Sequence, residues 1–375
     1  MSSPVINAEA DLFREAGRDF IVQSGSVSLA RRLHSDAVPF ERNWWQQAAE
    51  LGWTMLLAPE RAGGGSPSGE GVIDLVDIAE LCGAHVAPGP LLVTSAIVAG
   101  LAQPEARRNH DEVLAGILEG TTVAAWAAPP LAGITPGVTA RREGECWVLS
   151  GDVEAVEFGS EADVLWIAAE SEDGITHFLV PTEHAGVAVV PTGSIDLVRP
   201  FARVTFTDAL LPDAMVAVDG MHGRAVLRAQ LRCMNLLQVA ESVGALRRVF
   251  EFTVEWGMER YSFGRPLASY QALKHRYADD VTHLYACRAL LAAAARAVQD
   301  GAPEADCLVS AAKAYVGEVG VQIVQDSCQL HGGLSQTMEH DLHIYLRRVM
   351  LCRALYGSVR EHRINVARTA FEGEA

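Results

Sequence analysis

The stretch Arg260–Asp279, RYSFGRPLASYQALKHRYAD, ends one helical pattern and begins another. Its FGRP segment supplies the glycine and proline that stop a helix. Around that stop lie a guanidinium, a hydroxyl, an aromatic ring and, further on, an amide. Charge-assisted and neutral hydrogen bonds from such a set can hold a diphosphate beside a helix N-terminus. Taken alone, the same residues are also what a simple turn between two helices requires.

A second stretch, Gln329–Arg348, reads QLHGGLSQTMEHDLHIYLRR. Adjacent Gly332 and Gly333 let a backbone approach a ligand closely, and Gln329 adds an amide for recognition. HGG alone is also typical of a helix C-cap. Because both stretches occur in one chain with the domain order described next, they favour a ligand site over two unrelated turns.

The hydrophobic period divides the chain into three segments. Residues 1–118 are predicted to be an α-helical domain, with helical spacing in ERNWWQQAAELGWTMLL (41–57). Residues 119–222 are predicted to be a β domain, because short β-branched and aromatic runs alternate there with Gly, Pro, Asp and Ser. Residues 223–375 return to helical periodicity and predict a helical bundle.

The composition excludes several classes of partner. Of 375 residues, 49% are hydrophobic and 21% are charged, which is an ordinary globular balance. The net charge of −17 repels phosphate backbones and anionic lipid, so neither nucleic acid nor membrane is an expected partner. No apolar run reaches the roughly 20 residues that span a bilayer.

The cysteines and the N-terminus predict a cytoplasmic location. Seven cysteines form no CxxC pair, and an odd number argues against a disulfide framework. The first residues lack a basic segment followed by an apolar one, so no secretion signal is expected.

His340 and His343 share one helical face, but no Cys or carboxylate framework accompanies them, so no metal site is predicted.

Both quoted stretches resemble the acyl-CoA dehydrogenase family, and the resemblance extends over essentially the whole chain. The matching patterns are R-x-x-F-G-[KR]-P…Q and Q-x-x-G-G, and LGWTMLLAPERAGGG (51–65) is similar to the family's L-G…P-E-x-x-G-G segment. The resemblance implies a mainly α fold with a central β domain. Its parts would be an N-terminal α-helical domain, a middle β-barrel or sandwich domain, and a C-terminal four-helix bundle that builds tetramers.

The resemblance also implies FAD that is shared across a subunit interface. In such a site the flavin ring lies against the β domain of one subunit, while the adenosine diphosphate end is held by its neighbour. The cofactor-binding residues expected on this basis are Arg260, Ser262, Phe263, Gln271, Gln329 and Gly333.

The catalytic base of the family is missing from both of its usual positions. Dehydrogenation requires a carboxylate that removes the weakly acidic α-proton of an acyl thioester in a dry pocket. Most members carry this Glu in Y-E-G-T, where this chain has Tyr356, followed by Gly357. A phenol, with a reference pKa of about 10, is a poor substitute. A second group of members carries the Glu on an earlier helix, where this chain has Met234. No catalytic residue is therefore expected in this chain.

The flavin-ring half of the site is also altered. The family's W-I-[ST] strand, whose hydroxyl bonds the flavin, is replaced by Ala155, Val156 and Glu157. The family's T-E-P-x-x-G-S-D loop is replaced by AWAAPPLAGI (125–134). The residues expected at the adenosine diphosphate end are retained.

This asymmetry resembles one chain of the α2β2 acyl-CoA dehydrogenases of bacteria that act on steroid side chains. The chain would then complete the FAD site of a second subunit that carries the catalytic Glu, and it would be inactive when isolated. The expected substrate is an acyl-CoA, such as a steroid side-chain CoA, and the expected electron acceptor is electron-transfer flavoprotein.

Three alternatives remain open. The chain could be a self-sufficient dehydrogenase with a relocated base at Glu241, two helical turns beyond Met234; otherwise Glu241 pairs with a cation such as Arg247 or Arg248. It could be a flavin-dependent monooxygenase on the same fold, which has no use for that base. It could also be a non-enzymatic structural or regulatory partner.

Overall fold

Helices flank a block of strands in the structure, which is a computed structural model that describes residues 8–38, 40–127 and 136–372. The N-terminal helices are α1 (Ala8–Gln23), α2 (Ser26–Ser35), α3 (Arg42–Glu50), α4 (Gly71–His85), α5 (Leu91–Leu101) and α6 (Asp111–Leu118). The strands are β1 (Ala124–Ala127), β2 (Val138–Glu143), β3 (Cys146–Glu157), β4 (Val164–Ser171), β5 (Gly174–Pro181), β6 (Val187–Thr192), β7 (Phe201–Pro212) and β8 (Val216–Val218). The C-terminal elements are α7 (Gly220–Glu259), β9 (Tyr261–Ser262), β10 (Arg265–Pro266), α8 (Gln271–Gln299), α9 (Ala305–His331), α10 (Leu342–Ala354) and α11 (Val359–Glu372).

The predicted order of helices, strands and helices is confirmed. The described chain separates into two compact units, of which the first contains residues up to 20, 32–75 and 88–234. The second contains residues 21–31, 76–87 and 235 onward. The three domain boundaries drawn from the sequence stay a prediction.

One predicted helix is shorter than its apolar pattern. The periodicity of residues 41–57 predicts one helix, but α3 ends at Glu50. Gly52 has φ +89°, a left-handed conformation that ends the helix and that glycine adopts at little cost. Trp44 and Trp45 of α3 are buried and belong to the core.

The sheet of the first unit is mixed. Its strands run in the order β6-β7-β3-β2-β4-β5-β8, and β1 pairs with β4. The β1–β4 and β2–β4 pairs are parallel, and the other neighbours are antiparallel. Buried side chains such as Leu165, Ile167 and Phe178 form one apolar cluster beneath the sheet. The β-branched Ile167 and the aromatic Phe178 are residue types that a pleated, buried surface favours.

A neutral histidine joins the sheet to the start of α7. The indole N–H of Trp166 donates to Nδ1 of His177 at 2.9 Å, and Nε2–H of His177 donates to the Gly223 carbonyl at 2.8 Å. Burial lowers the pKa of His177 to about 4. Both ring nitrogens are engaged only in the neutral tautomer, so a proton on this ring would break the Trp166 bond.

Acid is expected to weaken the fold through His177. The unfolded ring takes up its proton near pH 6.5, whereas the folded ring resists until about pH 4. The contribution of neutral His177 to the free energy of unfolding is therefore fully present above pH 6.5, and about 3 kcal/mol of it is lost as the pH drops to 4. Urea unfolding at several pH values checks this, with His177→Gln as the comparison. The variant should show a shallower loss across that window, and an unchanged slope would contradict the assignment.

The second unit brings α4 and α7 into backbone contact. An added Cβ at Gly83 would lie 1.9 Å from the carbonyl oxygen of Glu241, and one at Gly244 would lie 1.8 Å from that of Glu80. Only glycine allows two helices to approach this closely. The contact fixes α7 in the unit that carries the quoted motifs.

Helix α9 is the central helix of the second unit. The span Ala305–Ser335 is long and apolar enough to cross a membrane by length and composition. However, 67% of its most apolar stretch is buried inside the fold. Gly320 of α9 faces Leu246 of α7 and Val349 of α10. The apolar character of α9 is therefore accounted for by packing within this unit.

Candidate functional site

The first quoted stretch folds as a tight hairpin between α7 and α8. Ser262 pairs with Arg265 and Tyr261 with Pro266, which leaves Phe263 and Gly264 as the two-residue loop. Both loop residues have left-handed backbones, with φ +49° and +81°. That geometry is the type I′ turn that matches strand twist, and it is costly for phenylalanine.

The hairpin is braced so that it presents Phe263 to the outside. The Tyr270 hydroxyl donates to the Ser262 carbonyl at 2.8 Å, and the Arg265 guanidinium lies 3.8 Å from the centre of the Tyr270 ring. Phe263 itself is 97% exposed. A strained backbone and an exposed aromatic ring in a rigid turn are features of a recognition surface rather than of core packing.

Polar residues of this stretch lie shortly before α8 in the chain and at its first position. Gln271 is the first residue of α8, and both Gln271 and Arg260 are exposed. The first amides of α8 lack partners within the helix and carry partial positive charge. The Arg260 guanidinium, the Ser262 hydroxyl and these amides are each groups that suit an anion such as a diphosphate.

The second quoted stretch lines a cavity of about 490 Å³. The lining residues are Gln325, Cys328, Gln329, Gly332, Gly333 and Leu346. Gln325, Cys328 and Gln329 share one face of α9 because they are three and four residues apart. Burial raises the pKa of the Cys328 thiol, so the thiol is neutral in this wall.

The glycine turn leaves open space at the cavity. Gly332 has φ +64°, and a Cβ added at Gly332 or Gly333 would meet no atom within 4 Å. The Ser335 hydroxyl lies 2.9 Å from the Cys328 carbonyl and 2.8 Å from the Gly332 carbonyl, which satisfies the end of α9. The Ser335 hydroxyl thus stabilises the turn, while Gly332 and Gly333 stay accessible.

Trp256 connects the two stretches. Its ring stacks on His331 with centroids 5.3 Å apart and planes 15° apart, and the Arg260 guanidinium carbon lies 5.7 Å from its centroid. His331 directly precedes the glycine turn, and its Nδ1–H donates to the Ser327 carbonyl at 2.9 Å. Burial lowers the pKa of His331, which keeps the ring neutral in this stack.

All six predicted cofactor-binding residues therefore lie in the second unit. Gln329 and Gly333 line one cavity, and Arg260 lies over Trp256, which stacks on His331 immediately before the glycine turn. Ser262, Phe263 and Gln271 belong to the hairpin and to the helix that follows it. Their binding role stays a prediction.

Comparison with known proteins agrees with this arrangement. The family model for the C-terminal domain of acyl-CoA dehydrogenases matches residues 221–371. The acyl-CoA dehydrogenase IpdE2 of Mycobacterium tuberculosis is 27% identical over 357 residues, which is 94% of each chain. Residues 221–371 belong to the acyl-CoA dehydrogenase family.

Solved structures show the same fold over nearly the whole chain. The ChsE4–ChsE5 complex of M. tuberculosis aligns with a TM-score of 0.88 at 23% identity, covering 99% of this chain and 98% of the other. The Tcur3481–Tcur3483 steroid ACAD aligns with a TM-score of 0.87 at 24% identity, covering 98% and 99%. The predicted acyl-CoA dehydrogenase-like fold class is confirmed.

Tyr356, which the resemblance to the family assigns to the position of the base, lies in a structured loop. Tyr356 lies between α10 and α11, is half-buried and has a left-handed φ of +55°. Ser358 and Glu361 then form a capping box, in which Ser358 N–H and Oγ both lie 2.7 Å from Glu361 Oε2. The loop is built into the fold, but it presents a phenol instead of a carboxylate. At the other base position, Met234 is fully buried.

The altered strand β3 ends in a buried ion pair. Glu157 Oε1 lies 3.4 Å from Arg199 Nε, and the two side chains are 2% and 4% exposed. In place of the family's hydroxyl, this strand therefore offers a carboxylate whose charge Arg199 balances inside the fold. The AWAAPPLAGI segment lies largely outside the described residues.

Glu241 is paired with a residue that the sequence did not single out. Arg348 Nη1 donates to Glu241 Oε1 at 2.7 Å, with both side chains almost completely buried, and Cys352 Sγ–H lies 3.3 Å from Oε2. The alternative in which Glu241 pairs with a cation is supported, and the cation seen is Arg348 of α10. Arg248 instead lies 3.7 Å from Glu251.

Several residues of the site were missed because they carry no family motif. Trp256 and Gln325 lie four residues before Arg260 and Gln329, and Cys328 lies three residues after Gln325, so the signal of helical spacing was present but weak. Arg31 and Arg348 contact their partners across long sequence separations, which no pattern reveals.

Among residues 8–38, 40–127 and 136–372, no group of three His, Cys, Asp or Glu side chains could hold a metal ion.

Proposed function

We propose that this chain is a subunit of an FAD-dependent acyl-CoA dehydrogenase that completes the FAD site of a partner subunit and lacks a catalytic base of its own. The observation that carries the proposal is the contrast within the site. The cavity and the hairpin are intact, whereas Tyr356 replaces the base and Glu157 is paired with Arg199.

The residues present fit the adenosine diphosphate end of FAD. The cavity offers the Gln329 amide and an unobstructed glycine backbone, and Arg260 with the α8 N-terminus offers charge for a diphosphate. The open glycine face would be covered by a ligand and a neighbouring chain. These residues would bind and orient that end of the cofactor.

The residues on the ring side do not fit. A hydroxyl donor is absent from the end of β3, where the Glu157–Arg199 pair occupies the interior. Inserting a ligand there would separate a buried ion pair, which is costly. This chain therefore supports only one end of the cofactor, and the ring end belongs to the partner.

This chain also provides no group that removes an α-proton. When bound, flavin would accept a hydride from the substrate, and a carboxylate would have to take the α-proton. Tyr356 offers a weakly basic phenol, Met234 offers none, and the Glu241 carboxylate is held by Arg348. The relocated-base alternative is therefore disfavoured, and no observation favours the monooxygenase.

The relatives indicate the kind of assembly and substrate. The ChsE4–ChsE5 structure is a complex, and the Tcur3481–Tcur3483 structure is a steroid ACAD. We extend both features to this chain. The partner is a second acyl-CoA dehydrogenase chain with the catalytic Glu in an α2β2 assembly. The substrate is an acyl-CoA such as a steroid side-chain CoA, electron-transfer flavoprotein accepts the electrons, and the assembly is cytoplasmic.

Co-expression tests the proposal. Produced alone, the chain should purify without FAD absorbance and without dehydrogenase activity. Produced with the acyl-CoA dehydrogenase encoded by a neighbouring gene, it should form a yellow complex that an acyl-CoA reduces. Full FAD content and turnover by the lone chain would contradict the proposal, and a yellow lone chain that needs NAD(P)H and O2 would indicate a monooxygenase.

A variant of the complex locates the contribution of this chain. Arg260→Ala should weaken FAD retention about tenfold or more, because a hydrogen bond to a charged group is lost. Arg363→Ala is the matched control, since Arg363 of α11 forms an exposed ion pair with Glu318 of α9. Equal FAD content in both variants would rule out the assigned diphosphate contact. A complex that forms but stays colourless, with neither variant changing its FAD content or activity, would indicate a purely structural partner.

A further inference from the structure

Arg31 of α2 holds the segment that follows the glycine turn. Its Nη2 and Nε atoms lie 2.8 and 3.1 Å from Asp341 Oδ1. Its Nη1 donates to the Met338 carbonyl, and Nη2 lies 3.3 Å from the Glu339 carbonyl. One planar guanidinium thus bonds three residues of the connection between the glycine turn and α10.

This connection separates the two walls of the cavity. Gly332 and Gly333 precede residues 337–341, and Leu346 of α10 follows them. The position of the connection therefore sets how far Leu346 stands from the glycines. Asp341 is also the residue before α10, so its contact with Arg31 fixes the start of that helix.

We propose that Arg31 is a positioning residue for nucleotide binding in this cavity. The inference rests on the proposed function, because it takes the ligand to be the adenosine diphosphate end of FAD. Arg31 acts through Met338, Glu339 and Asp341 and does not line the cavity. Lysine cannot replace it, because an ammonium is a compact point charge and lacks the planar set of N–H donors with which a guanidinium reaches several acceptors.

Cys328 supplies the readout, because it lines the cavity. The full chain is treated with iodoacetamide at increasing ADP concentration, and the Cys328 peptide is quantified by mass spectrometry. In Arg31→Gln, half-protection should require about three to thirty times more ADP than in the unsubstituted chain. Arg31→Lys should behave like Arg31→Gln. Arg14→Gln, which removes an exposed pair with Asp11 on α1, is the matched control and should match the unsubstituted chain.

The outcomes separate the two proposals. If ADP does not protect Cys328 in the unsubstituted chain, the nucleotide assignment of the cavity fails. If ADP protects both chains equally, the role of Arg31 is refuted, even when Arg31→Gln melts at a lower temperature. Combining Arg31→Asp with Asp341→Arg restores an opposite-charge contact and should recover part of the ADP affinity, which a general loss of stability would not do.

Discussion

Replacing Glu241 by Gln is expected to lower the free energy of unfolding by about 3–5 kcal/mol, because it leaves Arg348 as a buried cation without its carboxylate. The effect is increased by Lys313, which is also buried nearby and donates to Gln238 and to the Cys352 carbonyl. Urea unfolding of the full chain, followed by circular dichroism, measures the loss.

Two further variants separate this explanation from catalysis. Glu251→Gln removes an exposed carboxylate of the same helix and should change stability by less than about 0.5 kcal/mol. Replacing Glu241 and Arg348 together by Leu should recover much of the loss, since a buried pair can be exchanged for apolar side chains. A Glu241→Gln chain that is fully stable, but whose intrinsic dehydrogenase activity is abolished, would instead identify Glu241 as a base.

Replacing Gly244 by Ala is expected to cost at least about 3 kcal/mol. The added Cβ would lie 1.8 Å from the Glu80 carbonyl oxygen, and that atom belongs to a helix backbone that cannot rotate away. Helices α4 and α7 would have to separate, and the buried contacts beside them would be lost. Thermal and urea unfolding both report the change.

The matched control is Gly65→Ala, because a Cβ there meets no atom within 4 Å and no left-handed backbone is required. Its stability should stay close to that of the unsubstituted chain. Gly83→Ala, which faces the Glu241 carbonyl at 1.9 Å, should resemble Gly244→Ala. Near-equal stability of all three variants would show that the two helices are not packed backbone to backbone.

The parts of the fold that depend on local pattern were predictable. The strands β3 to β7 are recognisable as short β-branched and aromatic runs between turn residues, and the helices beyond Gly220 by their period. The hairpin around Phe263 and the turn at Gly332 carry glycines whose conformations the sequence anticipates. These are the two features on which the candidate site depends.

The parts that depend on distant partners were not predictable. The pattern of residues 41–57 is helical throughout, yet the left-handed Gly52 ends the helix early. Glu241 had nearby arginines on its own helix, but the fold brings Arg348 to it instead. Arg31 reaches Asp341 from the other end of the chain. Pairings of this kind are decided by packing, and one sequence contains no signal for them.

The exposed Phe263 hairpin also has a consequence for protein turnover. In the proposed complex the partner would cover this ring, whereas a copy made in excess would keep a large apolar side chain and a strained turn in water. Such surfaces are what chaperones and proteases recognise in cells. We therefore expect the amount of this chain in the cell to follow the supply of its partner, with surplus copies degraded rather than stored.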